Sequence, residues 1–244
     1  MFIELALLGI FVGIMSGFFG IGGGTVSVPI LLYLGFDIKE AIAISVMQMA
    51  VSSVAGALIH RKKQTYALGD MQYFGYGGIL GAMVGGYLVS VLQGAILGWI
   101  FLGLVVFTLV KLFLANPEPT HKEIVNYPLY LLIGTGVGVF SGMLGVGGSI
   151  LMTPILVSFM GFPLKKASSV GLFYVMFTSI SSFITLSWLG MMQYHAGAMM
   201  ALGSLIGIWV GIWLLHQIKI THYKMTLVIF YVIILIITAN KLLF

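Results

Sequence analysis

The sequence predicts an all-α polytopic membrane protein built from two homologous halves. Three observations predict it: a very apolar composition, long stretches without a charged residue, and a glycine-rich motif that opens each half. Each half is expected to begin with a glycine-broken helix or a re-entrant hairpin. We expect the two halves to be inverted repeats of one another, a common construction in membrane proteins.

The composition is that of a protein embedded in lipid. Of the 244 residues, 60% are hydrophobic and 7% are charged, whereas soluble domains carry about 25% charged residues. A globule of this size cannot cover itself in water with so few polar groups. No charged residue occurs in residues 71–110, 124–164 or 167–218, and each stretch is long enough for one or more spans of about 20 residues.

Several function classes are disfavoured by composition and motif. The net charge of +5 does not indicate nucleic-acid binding, because the eleven Lys and Arg residues fall in short connections between apolar runs. The chain has no cysteine, which excludes disulfides and thiolate chemistry. It carries no HExxH motif and no carboxylate pair deep in a span, so an embedded hydrolase is disfavoured. Glu4 stands where a signal peptide carries basic residues, so we expect the first apolar segment to be retained.

The two halves repeat one another at a nearly constant offset. The motif from Ser16 to Gly24 (SGFFGIGGG) matches the motif from Ser141 to Ser149 (SGMLGVGGS) at an offset of 125 residues. The offset then becomes 126, with matches at Gly35 and Gly161, Lys39 and Lys165, Ala41 and Ala167, and residues 77, 81 and 85 with 203, 207 and 211. We therefore divide the chain into a first repeat (residues 1–115), a linker (116–127) and a second repeat (128–244).

Apolar runs predict five helical segments in each half. These are residues 2–15, 25–34, 41–59, 71–91 and 94–114, and then 128–140, 150–161, 167–189, 195–216 and 224–240. The first two segments of each half are short, since about 14 helical residues reach about 21 Å against a hydrocarbon core of about 30 Å. The glycines between them weaken a helix, and Pro29 and Pro154 follow closely and remove a backbone donor.

The basic residues bear on how these short pairs cross the membrane. If each pair crosses once, the two faces of the membrane receive six and five basic residues, and this even split indicates no orientation. If each pair enters and returns, nine share one face and only Lys39 and Lys241 lie opposite, a clear positive-inside bias. We favour the second topology, which inverts the halves and puts both termini outside the cytoplasm. The single crossing remains the alternative.

The glycine-rich segments 20–24 and 145–149 are the strongest functional feature. Non-helical backbone at membrane depth is tolerated only where it lines a cavity or is buried in protein. Glycines expose consecutive N–H groups, and the helix that follows directs about half a positive charge at the segment. Such a site binds an anion without a buried Lys or Arg. Thr25 adds a hydroxyl to the first segment, and neither segment has the Lys-Ser or Lys-Thr of a phosphate-binding P-loop.

Other polar and glycine positions have a structural explanation beside the functional one. Ser45, Gln48 and Ser52 share one helix face, and Gln48 is the best candidate there for binding an anionic oxygen. The alternative is hydrogen bonding between helices, often worth about 0.6 kcal/mol per bond in membranes. The glycines that recur at four-residue spacing predict close helix packing of the GxxxG kind, namely residues 13 and 17, 134 and 138, 77, 81 and 85, and 203, 207 and 211.

Together these motifs resemble the sulfite exporter TauE/SafE family. The features that carry the resemblance are the duplicated glycine loop, a proline five residues after its last glycine or serine, the Gly-Phe pair and the Lys-x-Ala or Lys-Lys-Ala stretch. The resemblance covers nearly the whole chain. It implies a membrane permease for sulfite, sulfoacetate, thiosulfate or another small organosulfur anion, and it places binding at Gly22, Gly23, Gly24, Gly147, Gly148 and Ser149. The second copy has Gly171 where the first has Ser45, so one hydroxyl is not repeated.

We therefore expect a secondary transporter of the cell (inner) plasma membrane that exports a small oxyanion by alternating access. Sulfite or an organosulfonate such as sulfoacetate is the expected solute. A channel-like anion pore and a non-transporting membrane enzyme or assembly subunit are the alternatives. The expected partners are a small anionic substrate and membrane lipid, without nucleic acid, cofactor or metal, and a homo-oligomer is compatible with the sequence.

Overall fold

The computed structural model describes residues 2–62, 71–114, 123–217 and 220–243, and these fold entirely into α-helices and short connections. The first half forms five helices: α1 (Phe2–Phe19), α2 (Gly24–Tyr33), α3 (Ile38–Lys62), α4 (Gln72–Val91) and α5 (Gly94–Leu114). The second half forms five more: α6 (Tyr127–Leu144), α7 (Ser149–Met160), α8 (Leu164–Trp188), α9 (Tyr194–Gln217) and α10 (Ile220–Leu243). The predicted all-α class is confirmed. Residues 116–122 of the predicted linker lie outside the described residues.

Seven of the described helices are long and apolar enough to cross a membrane. They are α3 to α6 and α8 to α10, while α1, α2 and α7 are shorter apolar helices. The apolar stretch of α1, Ile3–Phe19, falls just short of the 18 residues of its counterpart α6. The expectation of a multi-pass integral membrane protein agrees with this finding.

The first helix of each half is longer than predicted. α1 continues to Phe19 instead of ending at residue 15, and α6 continues to Leu144 instead of ending at residue 140. The glycines within these last turns do not break the helix, because each packs against the backbone of a neighbouring helix. With 18 residues each, both helices are about 27 Å long, close to the hydrocarbon thickness.

The two halves exchange their first helices. α1 packs along α9 of the second half, and α6 packs along α4 of the first half. A Cβ added at Gly13 would lie 2.8 Å from Ser204 Cα, and one added at the equivalent Gly138 would lie 2.7 Å from Gly78 O. The predicted glycine packing seams are confirmed, and they join one half to the other.

The helix pairs α1–α2 and α6–α7 each begin and end in the same neighbourhood. Glu4 at the start of α1 and Leu34 just after α2 line one pocket of about 530 Å³, together with Glu40. In the second half, Ile124 N, just before α6, donates to Met160 O at the end of α7 over 3.1 Å. The chain therefore turns back between the two helices of each pair.

Candidate functional site

Two glycine loops join these helix pairs. Loop A (residues 20–23) connects α1 to α2, and loop B (residues 145–148) connects α6 to α7. Both loops are buried throughout. Gly20 and Gly22 have φ values of +67° and +66°, while Gly145, Gly147 and Gly148 have +61°, +73° and +75°. Glycine is favoured at these positions because side-chain-bearing residues rarely adopt that left-handed conformation.

The two loops meet in the core of the bundle. The Ser149 hydroxyl, at the start of α7, donates to Ile21 O of loop A. A Cβ added at Gly24 would lie 2.6 Å from Val146 Cα of loop B, so no side chain fits between the loops there. Two loops that correspond at an offset of 125 residues thus form one buried region of non-helical backbone.

Neither of the helices that follow the loops is capped by a side chain. Gly23 is the N-cap of α2 and Gly148 is the N-cap of α7, and neither helix has a side-chain cap hydrogen bond. Val26 N and Ser27 N donate to Gly23 O, which leaves the amides of Gly24 and Thr25 without an acceptor inside the helix. Partial positive charge therefore accumulates where the loops meet.

Gln48 of α3 is directed at loop A. Its side chain is fully buried, and Nε2 donates to Ser52 Oγ over 3.0 Å. Oε1 has no hydrogen-bond partner, and a Cβ added at Gly23 would clash with this oxygen. The structure therefore brings the predicted residue Gln48 against the predicted loop, and it leaves one buried polar atom unsatisfied at the contact.

Buried hydroxyl groups around both loops also lack a hydrogen-bond partner. Ser16 Oγ and Thr25 Oγ1 flank loop A, while Ser141 Oγ and Thr153 Oγ1 flank loop B, and all four are buried without a partner. Such groups are few in folded proteins and each calls for an explanation, such as a bound ion or water. Ser182 and Ser187 of α8 are also unpartnered but belong to neither loop. Sequence reasoning did not single out Ser16 and Ser141, although they open the two copies of the repeated motif.

The side chains in contact with the loops are uncharged. Gly22 and Gly147 both lie against Met49 and Val175, and Gly148 lies against the Tyr174 ring. No group of three or more His, Cys, Asp or Glu residues that could hold a metal ion occurs within the part of the chain that the structure describes. The loops therefore offer dipoles, hydroxyls and one amide rather than ionised groups.

Comparison with known proteins places the chain among transporters. The sequence model of the family described as "Sulfite exporter TauE/SafE" matches residues 5–239. A probable membrane transporter protein of Haemophilus influenzae is 31% identical over 202 residues, 77% of this chain and 75% of that protein. The probable membrane transporter proteins YunE of Bacillus subtilis and YfcA of Escherichia coli are each 25% identical, over 86% and 84% of this chain and 85% and 79% of their own lengths. No solved structure matches.

The match spans both repeats, and the relatives are named as transporters rather than as enzymes. Seven described helices suited to crossing a membrane agree with those names. On these grounds the chain belongs to the sulfite exporter TauE/SafE family of membrane transporters.

Proposed function

We propose that this protein is a secondary transporter that exports a small oxyanion, with sulfite or an organosulfonate such as sulfoacetate as the first candidates. The observation that carries the proposal is the meeting of two buried glycine loops, each followed by an uncapped helix start. The proposed binding residues are Gly22, Gly23, Gly24, Thr25, Gln48, Gly147, Gly148 and Ser149.

The physics of such a site suits an anion. Free amide N–H groups at a helix start accept negative charge, and the helix dipole adds to the attraction. Thr25 contributes a hydroxyl, and Gln48 contributes a side-chain amide beside Gly23. In a buried site these donors replace the water that a desolvated anion loses, without the cost of burying a lysine or arginine.

We infer further that each helix pair is a re-entrant hairpin and that the halves are inverted repeats. The contacts between α5 and α10 support this topology. Lys224 Nζ near the start of α10 donates to Phe113 O near the end of α5 over 3.1 Å, and Gly98 near the start of α5 packs against Leu242 near the end of α10. The two helices are therefore antiparallel, as an odd number of crossings in each half requires.

The positions of the lysines support an orientation of the bundle in the membrane, because most of them lie at one end. Lys111 lies over the Phe159 ring at 4.8 Å, and Lys166 pairs with Glu123 at 2.6 Å. Lys165 Nζ donates to Leu215 O over 3.3 Å. Lys39 lies instead beside Ser90, at the junction of α4 and α5. By the positive-inside rule we place the lysine-rich end in the cytoplasm and both termini outside it.

Export then needs no ATP-hydrolysing partner. A monovalent anion that leaves a negatively charged cell interior gains about 2.3 kcal/mol per 100 mV. Rocking of one half against the other between inward-facing and outward-facing arrangements provides the alternating access. Because each half contributes one loop and packs its first helix on the other half, both halves take part in that movement.

The test is transport by the purified protein in liposomes. We expect saturable, counterflow-competent flux for at least one anion in a panel of sulfite, sulfate, thiosulfate, sulfoacetate and methanesulfonate, measured with and without a pH gradient. Ohmic anion current without counterflow would favour a pore. The absence of flux for every anion, with folded protein in the membrane, would favour a membrane enzyme or an assembly subunit and would refute the proposal.

A further inference from the structure

The two loops are related by the repeat, yet their surroundings differ at equivalent positions. Gly23 and Gly148 correspond at the offset of 125 residues, and the side chains facing them, Gln48 and Tyr174, correspond at the offset of 126. The same place in the two halves therefore holds a polar amide at loop A and an aromatic ring at loop B. The two loops therefore differ in the side chain that faces their last glycine.

The Tyr174 ring closes the space above loop B. A Cβ added at Gly148 would lie 2.7 Å from Tyr174 Cε1, and one added at Gly78 of α4 would lie 2.6 Å from Cε2. The ring is thus held between two glycines on opposite edges. Its hydroxyl is already used, because it donates to Gly134 O over 2.7 Å. Tyr174 has no free polar atom to offer a solute at loop B.

Loop B accepts two hydrogen bonds from side-chain hydroxyls at positions whose counterparts in loop A accept none, although loop A accepts one at Ile21 O from Ser149. Ser45 donates to Gly145 O over 2.6 Å, and Thr178 donates to Gly147 O over 3.1 Å. The residue equivalent to Ser45 in the other half is Gly171, which has no hydroxyl. The residue equivalent to Thr178 is Ser52, which accepts from Gln48 instead of donating to loop A.

Gln48 has an unused capacity that an anion would satisfy. As it stands, Nε2 donates to Ser52 while Oε1 faces Gly23 without a partner. A half-turn of the amide lets the Ser52 hydroxyl donate to Oε1 and directs the NH₂ group at loop A. An oxyanion at loop A would accept from that group, and every polar atom of the pair would then have a partner.

We propose that the anion binds at loop A alone, with Gln48 as the side chain that binds and selects it, and that loop B is a fastened structural counterpart. This inference rests on the proposed transport function and narrows it to one binding loop. It predicts one anion per chain, bound by loop A. Ser149 and loop B then form the wall against which loop A binds its solute.

Matched substitutions at the two equivalent positions test the proposal, with radiolabelled sulfite and methanesulfonate as probes in proteoliposomes. A hydrogen bond to a charged group contributes enough that Gln48→Leu should raise KM by roughly 10-fold to 100-fold with Vmax largely retained. Gln48→Met keeps the length of the side chain but has no N–H donor, so it should raise KM by a similar factor. Tyr174→Phe keeps the ring and should leave KM within about twofold.

Calorimetric titration of the detergent-solubilised protein with sulfite should give one site in the wild type. The inference is overturned if both Gln48 variants, recovered as folded protein, keep the wild-type KM. It is equally overturned if Tyr174→Phe raises KM as much as Gln48→Leu, or if two anions bind per chain. Failure of the wild type to move either probe or any other panel anion would instead refute the transport proposal, and this inference with it.

Discussion

Met49 and Val175 lie against the same two glycines, Gly22 of loop A and Gly147 of loop B. A Cβ added at Gly22 would lie 3.0 Å from Val175 Cγ1 and 3.3 Å from Met49 Sδ, and one added at Gly147 would lie 2.7 Å and 3.0 Å from the same two atoms. The two side chains are themselves equivalent, at the repeat offset of 126 residues. They lie where the two loops meet, and each side chain contacts a glycine of both loops.

Bulk introduced into either loop is predicted to stop transport. Gly23→Leu places a side chain where Gln48 and Val12 already lie, and Gly148→Leu forces a strained φ of +75° against Tyr174. We expect sulfite flux in proteoliposomes to fall to background in both variants, with membrane insertion retained. Gly136→Leu is the matched control, because an added Cβ there has no neighbour within 4 Å. Wild-type flux in both loop variants would remove the loops from the mechanism.

Substitution in a packing seam is predicted to act on stability rather than on binding. At Gly207 of α9 a Cβ would lie 2.7 Å from Ile14 N and would clash with Ile10 O. Both are backbone atoms, so a change of side-chain rotamer cannot relieve the clash. Overpacking of this kind costs about 1–3 kcal/mol or more. Thermal unfolding in detergent should show a clearly lower midpoint for Gly207→Leu. Gly103→Leu on the outward face of α5, where nothing lies within 4 Å, should keep the wild-type midpoint.

The hairpin topology makes a prediction that the single-crossing alternative contradicts. Because the chain has no cysteine, single cysteines give a clean background for labelling with a membrane-impermeant maleimide. Lys39→Cys should react from the outside of intact cells, whereas Lys224→Cys should react only in inside-out vesicles. Lys111→Cys should follow Lys224→Cys, since the two lysines lie at neighbouring helix ends. Labelling of positions 39 and 224 from the same face would instead support a single crossing by each pair.

Flux is predicted to follow the membrane potential if the transported species is a monovalent anion without a coupled ion. An imposed potential of 100 mV contributes about 2.3 kcal/mol, which corresponds to a roughly 50-fold difference in the equilibrium concentration ratio. Proteoliposomes loaded with methanesulfonate and set to an inside-negative potential with valinomycin should release it faster than liposomes at zero potential. Release that ignores the potential but responds to a pH gradient would indicate coupling to protons.

The features that depend on a few neighbouring residues could be predicted from the sequence. The chain leaves the helix within the glycine-rich stretches, whereas Pro29 and Pro154 lie inside α2 and α7. The spacing of Gly203, Gly207 and Gly211 predicted a packing face. The predicted helix ends at residues 15 and 140 were wrong, because close contact with α9 keeps glycines such as Gly17 in the helix. Tertiary packing outweighs the intrinsic propensity of a glycine there.

The sequence did not predict that the first helix of each half packs on the other half. Gly9, Gly13 and Gly17 of α1 have the spacing to pack on the glycine face of α4 in their own half as well as on that of α9. Only the geometry of the folded chain selects α9. The contrast between Gln48 and Tyr174 was visible as a mismatch in the repeat, but its meaning depends on which atoms already have hydrogen-bond partners.

The pairing of α1 with α9 determines the order in which helix contacts can form during synthesis. When α6 emerges from the ribosome, its partner α4 is already in the membrane, so that contact forms early. α1 must wait until residues near Met200, the backbone neighbour of Gly9, have been translated. At about 5–20 residues per second, the first helix to be synthesised spends roughly 10–40 s in lipid before the partner of its glycine seam has been translated.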